Sequence, residues 1–326
     1  MMKDIPLRLM SLAGVPGQTG YTGIEWASFS ANLWGGCTKI KARPGGRSGC
    51  DICYAEAFCT KRLGIEWGAG KPRRRFKSTP ARLRRLNRLA GDMKRLLARG
   101  ESVLPGFEGP VEQNGETGNP FAVFMHSLSD WADQEVAKAN PEWQAELVDL
   151  VEECTDLDFL LLTHRPQNIS KVAPARWLTS LPGHIWPGVT VDDATAIGRW
   201  HELADIWGDT GRAWVSAEPL AGSMSGVSFE GAAALIVGGA SNTEDPEWRL
   251  QRAWLDDLVD RYAEILFFKQ WGVFDETGVY VGDKKRAGRN FDDRLFDITP
   301  WARNRDLLAA AANDNAIRRK VRRAAV

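Results

Sequence analysis

The stretch GGCTKIKARPGGRSGCDICYAEAFC, residues 35–59, holds four of the chain's five cysteines, and three of them read C-x12-C-x2-C: Cys37, Cys50 and Cys53. Thiols at this density can form a disulfide, ligate zinc or an iron–sulfur cluster, or react in their own right. The cysteine count is odd, and a chain of 326 residues can bury a core without staples. Both points favour metal chemistry in a reducing, cytoplasmic compartment over a disulfide framework. The x2 pair is common to zinc and iron–sulfur sites. Cys59 is available as a fourth ligand, but CYAEAFCTKRLG reads as a helix that begins at the last ligand of the pair. Cys59 would then project from more than a turn further along. Three ligands without a fourth leave one metal corner open to chemistry. Cys154, at the end of an amphipathic helix, reads as a small core residue.

A second set of polar side chains follows short apolar runs: Ser127, Ser129 and Asp130; Thr163, His164 and Arg165; Thr190, Asp192 and Asp193; Ser216 and Glu218; Gly238, Gly239 and Ser241; Lys269 and Gln270. Any one of them can serve as a helix N-cap or a loop residue. Lys269 and Glu218 directly follow apolar strand cores and are the least cap-like. With Asp192 they could form the acid–base set of a metal-independent barrel hydrolase. The four histidines (126, 164, 184 and 201) form neither HxH nor HExxH, which argues against a histidine-rich hydrolytic metal site.

The elements that must position these groups come in a regular alternation. FAVFMHSLSD (121–130), DFLLLTHRP (158–166), HIWPGVTVDD (184–193), RAWVSAEPL (212–220), AALIVGGAS (233–241) and EILFFKQWG (264–272) are near-continuous apolar runs with polar or glycine C-terminal ends. IEWASFSA (24–31) adds one near the N-terminus, and helical patterns such as PEWQAELVDLVEEC (141–154) separate the later runs. Strands apolar on both faces and spaced by helices predict a β/α barrel, in which chemistry sits at the C-terminal ends of the strands. A doubly wound open sheet would read almost the same. The boundaries predicted are an N-terminal arm (1–23), one barrel domain (24–300) with a basic helix and loop inserted at 71–120, and a basic C-terminal tail (301–326). No apolar run approaches the length of a membrane span, and the N-terminus lacks the pattern of a signal peptide.

Net charge is zero, yet residues 71–99 carry twelve Lys or Arg against one acidic residue, Asp92. Leucines at 83, 86, 89, 96 and 97 give this segment a helical face. It can be a solvated helix packed by its leucines, or a phosphate-contact surface using Arg73, Arg74, Arg75, Arg84 and Arg85. A nucleic acid is therefore the partner this segment suggests. The sequence leaves open an auxiliary partner protein and the oligomeric state.

A barrel whose first strand leads into a loop of three cysteines, the last two followed by an aromatic (Cys53-Tyr54), resembles the radical S-adenosylmethionine (radical SAM) superfamily. The usual C-x3-C-x2-C spacing is departed from here by a twelve-residue first gap. More closely, the chain looks like a phage and prophage family of unknown function with radical SAM-like features. The segments that carry this are WGGCTKI, GCDICYAE, FMHSLSDW, LLTHRPQNI, WPGVTVDD, VSAEPLAG, IVGGAS, FFKQWG and KKRAGRNFDDRLFD. The resemblance implies a partial β/α barrel of the radical SAM type with an inserted basic helical segment and a C-terminal extension. It implies that Cys37, Cys50 and Cys53 ligate a 4Fe-4S cluster and that S-adenosylmethionine occupies the fourth iron. Reductive cleavage would give a 5′-deoxyadenosyl radical acting on DNA, RNA or a nucleotide. In that frame Ser127, Ser129 and Asp130 would meet the methionine amino group and Arg165 its carboxylate. Asp192, Glu218, Gly238 and Gly239 would contact other parts of the cofactor, and Lys269, Glu218 and Arg165 would be the catalytic set. A zinc-stabilised nucleic-acid-binding protein, with Cys59 as fourth ligand, is the non-catalytic alternative.

Overall fold

The computed structural model describes residues 19–104, 107, 109–114 and 117–313. Its strands, in chain order, are β1 Thr19–Tyr21, β2 Phe29–Ala31, β3 Trp34–Gly35, β4 Arg74–Arg75, β5 Ala122–Met125, β6 Asp158–Thr163, β7 Ile185–Thr190, β8 Trp214–Ala217, β9 Leu235–Gly238 and β10 Leu266–Gln270. Seven of them run parallel in the order β2-β5-β6-β7-β8-β9-β10, and β1 lies antiparallel on the β2 edge. These are the seven apolar runs of the sequence. The order never reverses, so the sheet has no switch point of the doubly wound kind. It curls into a half-barrel, compatible with a partial β/α barrel.

Continuous apolar runs arise because each strand is buried on both faces. Alternate residues divide between two cores. Val123, Met125, Phe159, Leu161, Val215 and Val237 join the helices on the convex side. Phe124, Leu160, Trp186, Trp214, Ile236 and Phe267 face the concave side. Tryptophans fill that concavity: Trp301 meets Trp214 and Trp186 with ring centroids 5.3 and 5.5 Å apart, in edge-on contacts. The Trp301 indole donates to Trp26 O at 2.6 Å.

This placement corrects the expected tail at 301–326. Residues Trp301 to Asn304 are buried, and the helix Arg305–Asn313 packs Leu307, Leu308 and Ala311 into the convex core. Residues 314–326 lie outside the described residues, as do 1–18 of the expected N-terminal arm, of which 19–21 form β1. The first apolar run is a strand only at Phe29–Ala31, because residues 25–26 turn before it.

The basic segment forms the helix Thr79–Leu97, with Leu83, Leu86, Leu89, Met93 and Leu96 buried against the convex core. At roughly 1.5–3 kcal/mol for each buried large apolar side chain, that stripe docks the helix whatever its charges do. In the following loop, Asn119 and Thr117 each donate to Asp158 at 3.1 Å, and Asn114 also donates to it. Burial pushes that carboxyl up to about 7, against the pull of these hydrogen bonds. Among the described residues, no helix is long and apolar enough to cross a membrane.

Candidate active site

The cysteine loop starts where β3 ends. Gly36, at φ +98°, turns the chain out of β3, and its N–H donates to Leu128 O at 3.0 Å. Cys37 follows, 8% exposed. β3 pairs antiparallel with β4, which brings the basic segment to the same place. The side chain of Arg73, 3% exposed, donates to Thr38 Oγ1 at 2.6 Å, to Asp133 at 2.9 Å and to Glu135 at 3.1 Å. Arg73 is therefore a brace for the loop.

The twelve-residue gap is an ordered return. Arg43 O accepts from Gly46 N–H at 3.0 Å, and Ser48 Oγ donates to Ile40 O at 2.9 Å and accepts from Cys50 N–H at 3.3 Å. The end of β7 holds it from the other side. Asp193 accepts the Arg47 N–H at 2.7 Å, and Asp192 accepts the Gly49 N–H at 3.3 Å. Cys37 and Cys50 flank this return, and Cys53 leads directly into the helix Tyr54–Phe58. All five cysteines are unbridged, so the disulfide reading is set aside.

Cys37, Cys50 and Cys53 all line one cavity of about 220 Å³. Much of its other wall comes from the C-terminal ends of the parallel strands: His126, Ser127, Ser129 and Asp130; His164 and Arg165; Thr190; Ser216, Glu218 and Pro219; Gly239 to Asn242; and Lys269 with Gln270. Burial pushes all three thiols above their usual range, and Arg165 opposes it at Cys37. Such thiols must lose protons to bind a metal. Among the described residues, no group of three His, Cys, Asp or Glu side chains is set to hold a metal ion.

Several of the expected cofactor ligands are engaged by partners within the protein. Asp130 was expected to receive an amino group and Arg165 a carboxylate; instead they hold each other at 2.6 Å, with side chains 5% and 9% exposed. Asp130 also accepts from Thr163 Oγ1 at 2.7 Å, Ala132 N–H at 2.9 Å and His164 N–H at 3.1 Å, which uses its acceptor capacity. Burial alone would raise the Asp130 carboxyl, but the Arg165 guanidinium, together with the Thr163 hydroxyl and the other donors, outweighs it and holds the group below the usual range. Arg165 in turn donates to Cys37 Sγ at 3.5 Å and to Thr38 O. It positions the first cysteine.

Ser127 Oγ accepts from Asn32 at 3.0 Å, and the Tyr54 hydroxyl donates to Ser127 O at 2.9 Å, tying the cysteine helix to the β5 end. Asp192 stands behind the cysteine loop, fully buried and paired with Arg199 at 2.9 Å, where it cannot touch a ligand in the cavity. The glycines also answer to protein neighbours. A Cβ on Gly239 would lie 1.9 Å from Trp271 O, so close strand approach requires glycine there. A Cβ on Gly238 would lie 3.2 Å from the Glu218 carboxylate. Cys59, fully buried among Ala55, Ile65, Phe76 and Leu128, belongs to an apolar cluster, and Cys154 is a core residue as expected.

Glu218 and Lys269 do meet at the cavity, 2.7 Å apart, and Trp26 Nε1 donates to the second Glu218 oxygen at 2.8 Å. Burial would depress the Lys269 ammonium, but Glu218 and then Glu25 override it and hold it above the ordinary lysine range. A lysine held protonated is a donor and a poor general base. Trp26 and His126 escaped the sequence reading. Trp26 sits inside an apolar run, and His126 matches no metal-binding spacing.

The five arginines expected to meet phosphate divide in two. Arg73 is braced as above, Arg75 pairs with Glu146 over the Trp143 ring, and Arg84 pairs with Glu153 at 2.8 Å. Arg74 and Arg85 are exposed. Removing Arg73 leaves Asp133 buried without its cation, so Arg73→Ala is expected to cost about 3–5 kcal/mol of stability. Urea denaturation measures this; an unchanged midpoint with loss of DNA affinity would restore the phosphate-contact role.

Compared with known proteins, residues 21–300 match the sequence profile of a family described as a protein of unknown function. No curated protein and no solved structure matches the chain.

Proposed function

The chain belongs to that family, DUF5131, and we propose that it is an iron–sulfur enzyme of the radical SAM type. The observation that carries this reading is the convergence of Cys37, Cys50 and Cys53, and of neither Cys59 nor Cys154, on one cavity at the C-terminal strand ends. Three thiols and a cavity also lined by charged and polar groups suit a 4Fe-4S cluster with one open iron and a bound S-adenosylmethionine. With an external one-electron donor, that pair supplies reductive cleavage of a sulfonium and hence abstraction of a substrate hydrogen.

The chain's own residues bind, orient and exclude water. Arg165, fixed by Asp130, offers its guanidinium to Cys37, favouring a thiolate there over a thiol. Asp192 and Asp193 hold the loop that carries Cys50 by its backbone amides. Lys269 and Glu218 form the charged wall of the cavity, with Lys269 kept protonated as a hydrogen-bond donor to substrate or cofactor. The apolar residues Ile24, Trp26, Phe124 and Leu162 also line it and keep solvent out.

The hydrolase reading is weaker, since Asp192 is enclosed behind the loop and Lys269 is unsuited to base catalysis. The reading as a four-cysteine zinc protein is weaker as well, since Cys59 does not line the cavity. With Arg73, Arg75 and Arg84 each paired to a carboxylate of the chain, the basic segment is poorer ground for a nucleic-acid substrate than its composition suggests.

The test is anaerobic purification followed by absorption spectroscopy with iron, sulfide and zinc analysis. About four irons and four sulfides per chain are expected. Colourless protein that carries one zinc and cannot be reconstituted with iron and sulfide would sink the proposal.

A further inference from the structure

His126 closes β5 at the cavity wall and is 2% exposed. Its backbone sits at φ +65°, a left-handed conformation that non-glycine residues seldom adopt and that concentrates at functional sites. Its N–H donates to Ala31 O at 2.7 Å, which pins it to β2.

The hydrogen bonds around the ring determine its tautomer. Ser129 Oγ donates its one proton to Trp34 O at 3.0 Å. It can then only accept from the imidazole Nδ1, 2.7 Å away, so Nδ1 carries the hydrogen. A neutral ring protonated at Nδ1 has a bare lone pair on Nε2, and that atom is buried with no protein partner. Burial lowers the imidazole pKa to about 3, ahead of the opposing pull of Asp130, so the ring is neutral at physiological pH. A buried acceptor left unmet is a standing cost that a ligand donor would relieve.

The rest of the wall shows what would meet it. Asp130, the nearby carboxylate, is filled by protein donors. Gln270 repeats the His126 pattern: its Nε2 donates to Gly239 O at 3.0 Å, and its Oε1 is buried without a partner. Two residues of the cavity wall thus carry uncharged, buried acceptors that no protein donor meets, in addition to the charged pair, and such acceptors suit a ligand N–H donor.

We propose that His126 Nε2 accepts a hydrogen bond from a primary-amine or ammonium group of the bound ligand, with Ser129 as the positioning residue that fixes its tautomer. The proposal rests on the reading of S-adenosylmethionine as that ligand. The molecule carries two such groups, the methionine ammonium and the adenine exocyclic amine.

Calorimetric titration of the cluster-loaded protein with three probes separates them: S-adenosylmethionine, its analogue lacking the ammonium, and its analogue with a dimethylated adenine amine. One analogue is expected to bind about ten- to a hundredfold more weakly than the parent, the range for a hydrogen bond to a charged or well-aimed group. His126→Gly takes the left-handed backbone without strain and is expected to erase that difference. Thermal melting checks that this variant folds. Ser129→Ala is a second variant, and nitrogen-15 spectra of histidine-labelled protein supply a readout independent of binding. Wild-type His126 is expected to show the Nδ1-protonated form, and Ser129→Ala a shift toward the Nε2-protonated form with the same loss of discrimination. Parent affinity and discrimination unchanged in both variants, or a wild-type ring protonated at Nε2, would overturn the proposal and leave the cofactor reading standing. No binding of S-adenosylmethionine to the loaded wild type would overturn both.

Discussion

Single replacement of Cys37, Cys50 or Cys53 by alanine is expected to strip the protein of iron, whereas Cys59→Ala keeps it. Each of the first three thiols would hold a different iron, and none has a spare neighbour on the cavity wall, because Cys59 lies in an apolar cluster with Ile65, Phe76 and Leu128. Cys59→Ala removes one buried sulfur, so its cost should appear in melting temperature: about 1 kcal/mol, or roughly one to two degrees. The Cys50→Ala variant should melt near the temperature of the wild-type apoprotein, since Cys50 is half-buried and its loop is held by Ser48, Asp192 and Asp193. Iron and sulfide analysis of the four variants checks this. Full iron retention in Cys50→Ala, or loss in Cys59→Ala, would reassign the ligand set.

The second large effect is expected at Arg165. Arg165→Met leaves Asp130 buried beside a thiol with no cation, and breaking a pair so enclosed costs about 3–5 kcal/mol. The sign of the pH dependence follows from Asp130. Its folded pKa lies below the unfolded value of about 3.9. The stability it contributes is therefore complete above that value and is lost as pH falls through the folded pKa. In Arg165→Met the depression disappears and burial dominates, so the carboxyl takes up a proton at higher pH in the folded state. Urea midpoints measured from pH 3 to pH 7 should show wild type losing stability only at the acid end. The variant should be weaker throughout, with the largest deficit near neutrality. A uniform deficit across that range would mean that lost packing, and not lost charge, is responsible.

Much of this architecture is legible in the sequence, because a strand buried on both faces has to be apolar along its length. DFLLLT and ALIVGG could hardly be anything else, and the polar residues after each run fall on the rim as the barrel reading requires. Partnership is what the sequence conceals. Asp130 and Arg165 are 35 residues apart, and Arg73 and Asp133 are 60 apart. Nothing local says that each charge is neutralised by the other. The basic segment illustrates the same point: twelve cations within residues 71–99 look like a surface for phosphate until Glu146, Glu153 and Asp156, much later in the chain, pair with Arg75, Arg84 and Lys94. Trp301 was concealed for a different reason. A lone aromatic between DITP and ARNRD has no periodicity to reveal that it fills the concavity of the sheet.

The ordered return between Cys37 and Cys50 has a consequence for how such sites are recognised at all. For a flexible loop, closing twelve residues in place of three costs about 1.2 kcal/mol more in chain entropy, since the penalty grows only with the logarithm of length. Two amides anchored on Asp192 and Asp193 offset a cost of that size. Ligand spacing along the chain is then nearly free to drift, provided the same two carboxylates are there to receive the longer loop. Relatives of this chain should be sought by the acidic pair at the end of β7 together with the C-x2-C, and the length of the first gap ignored.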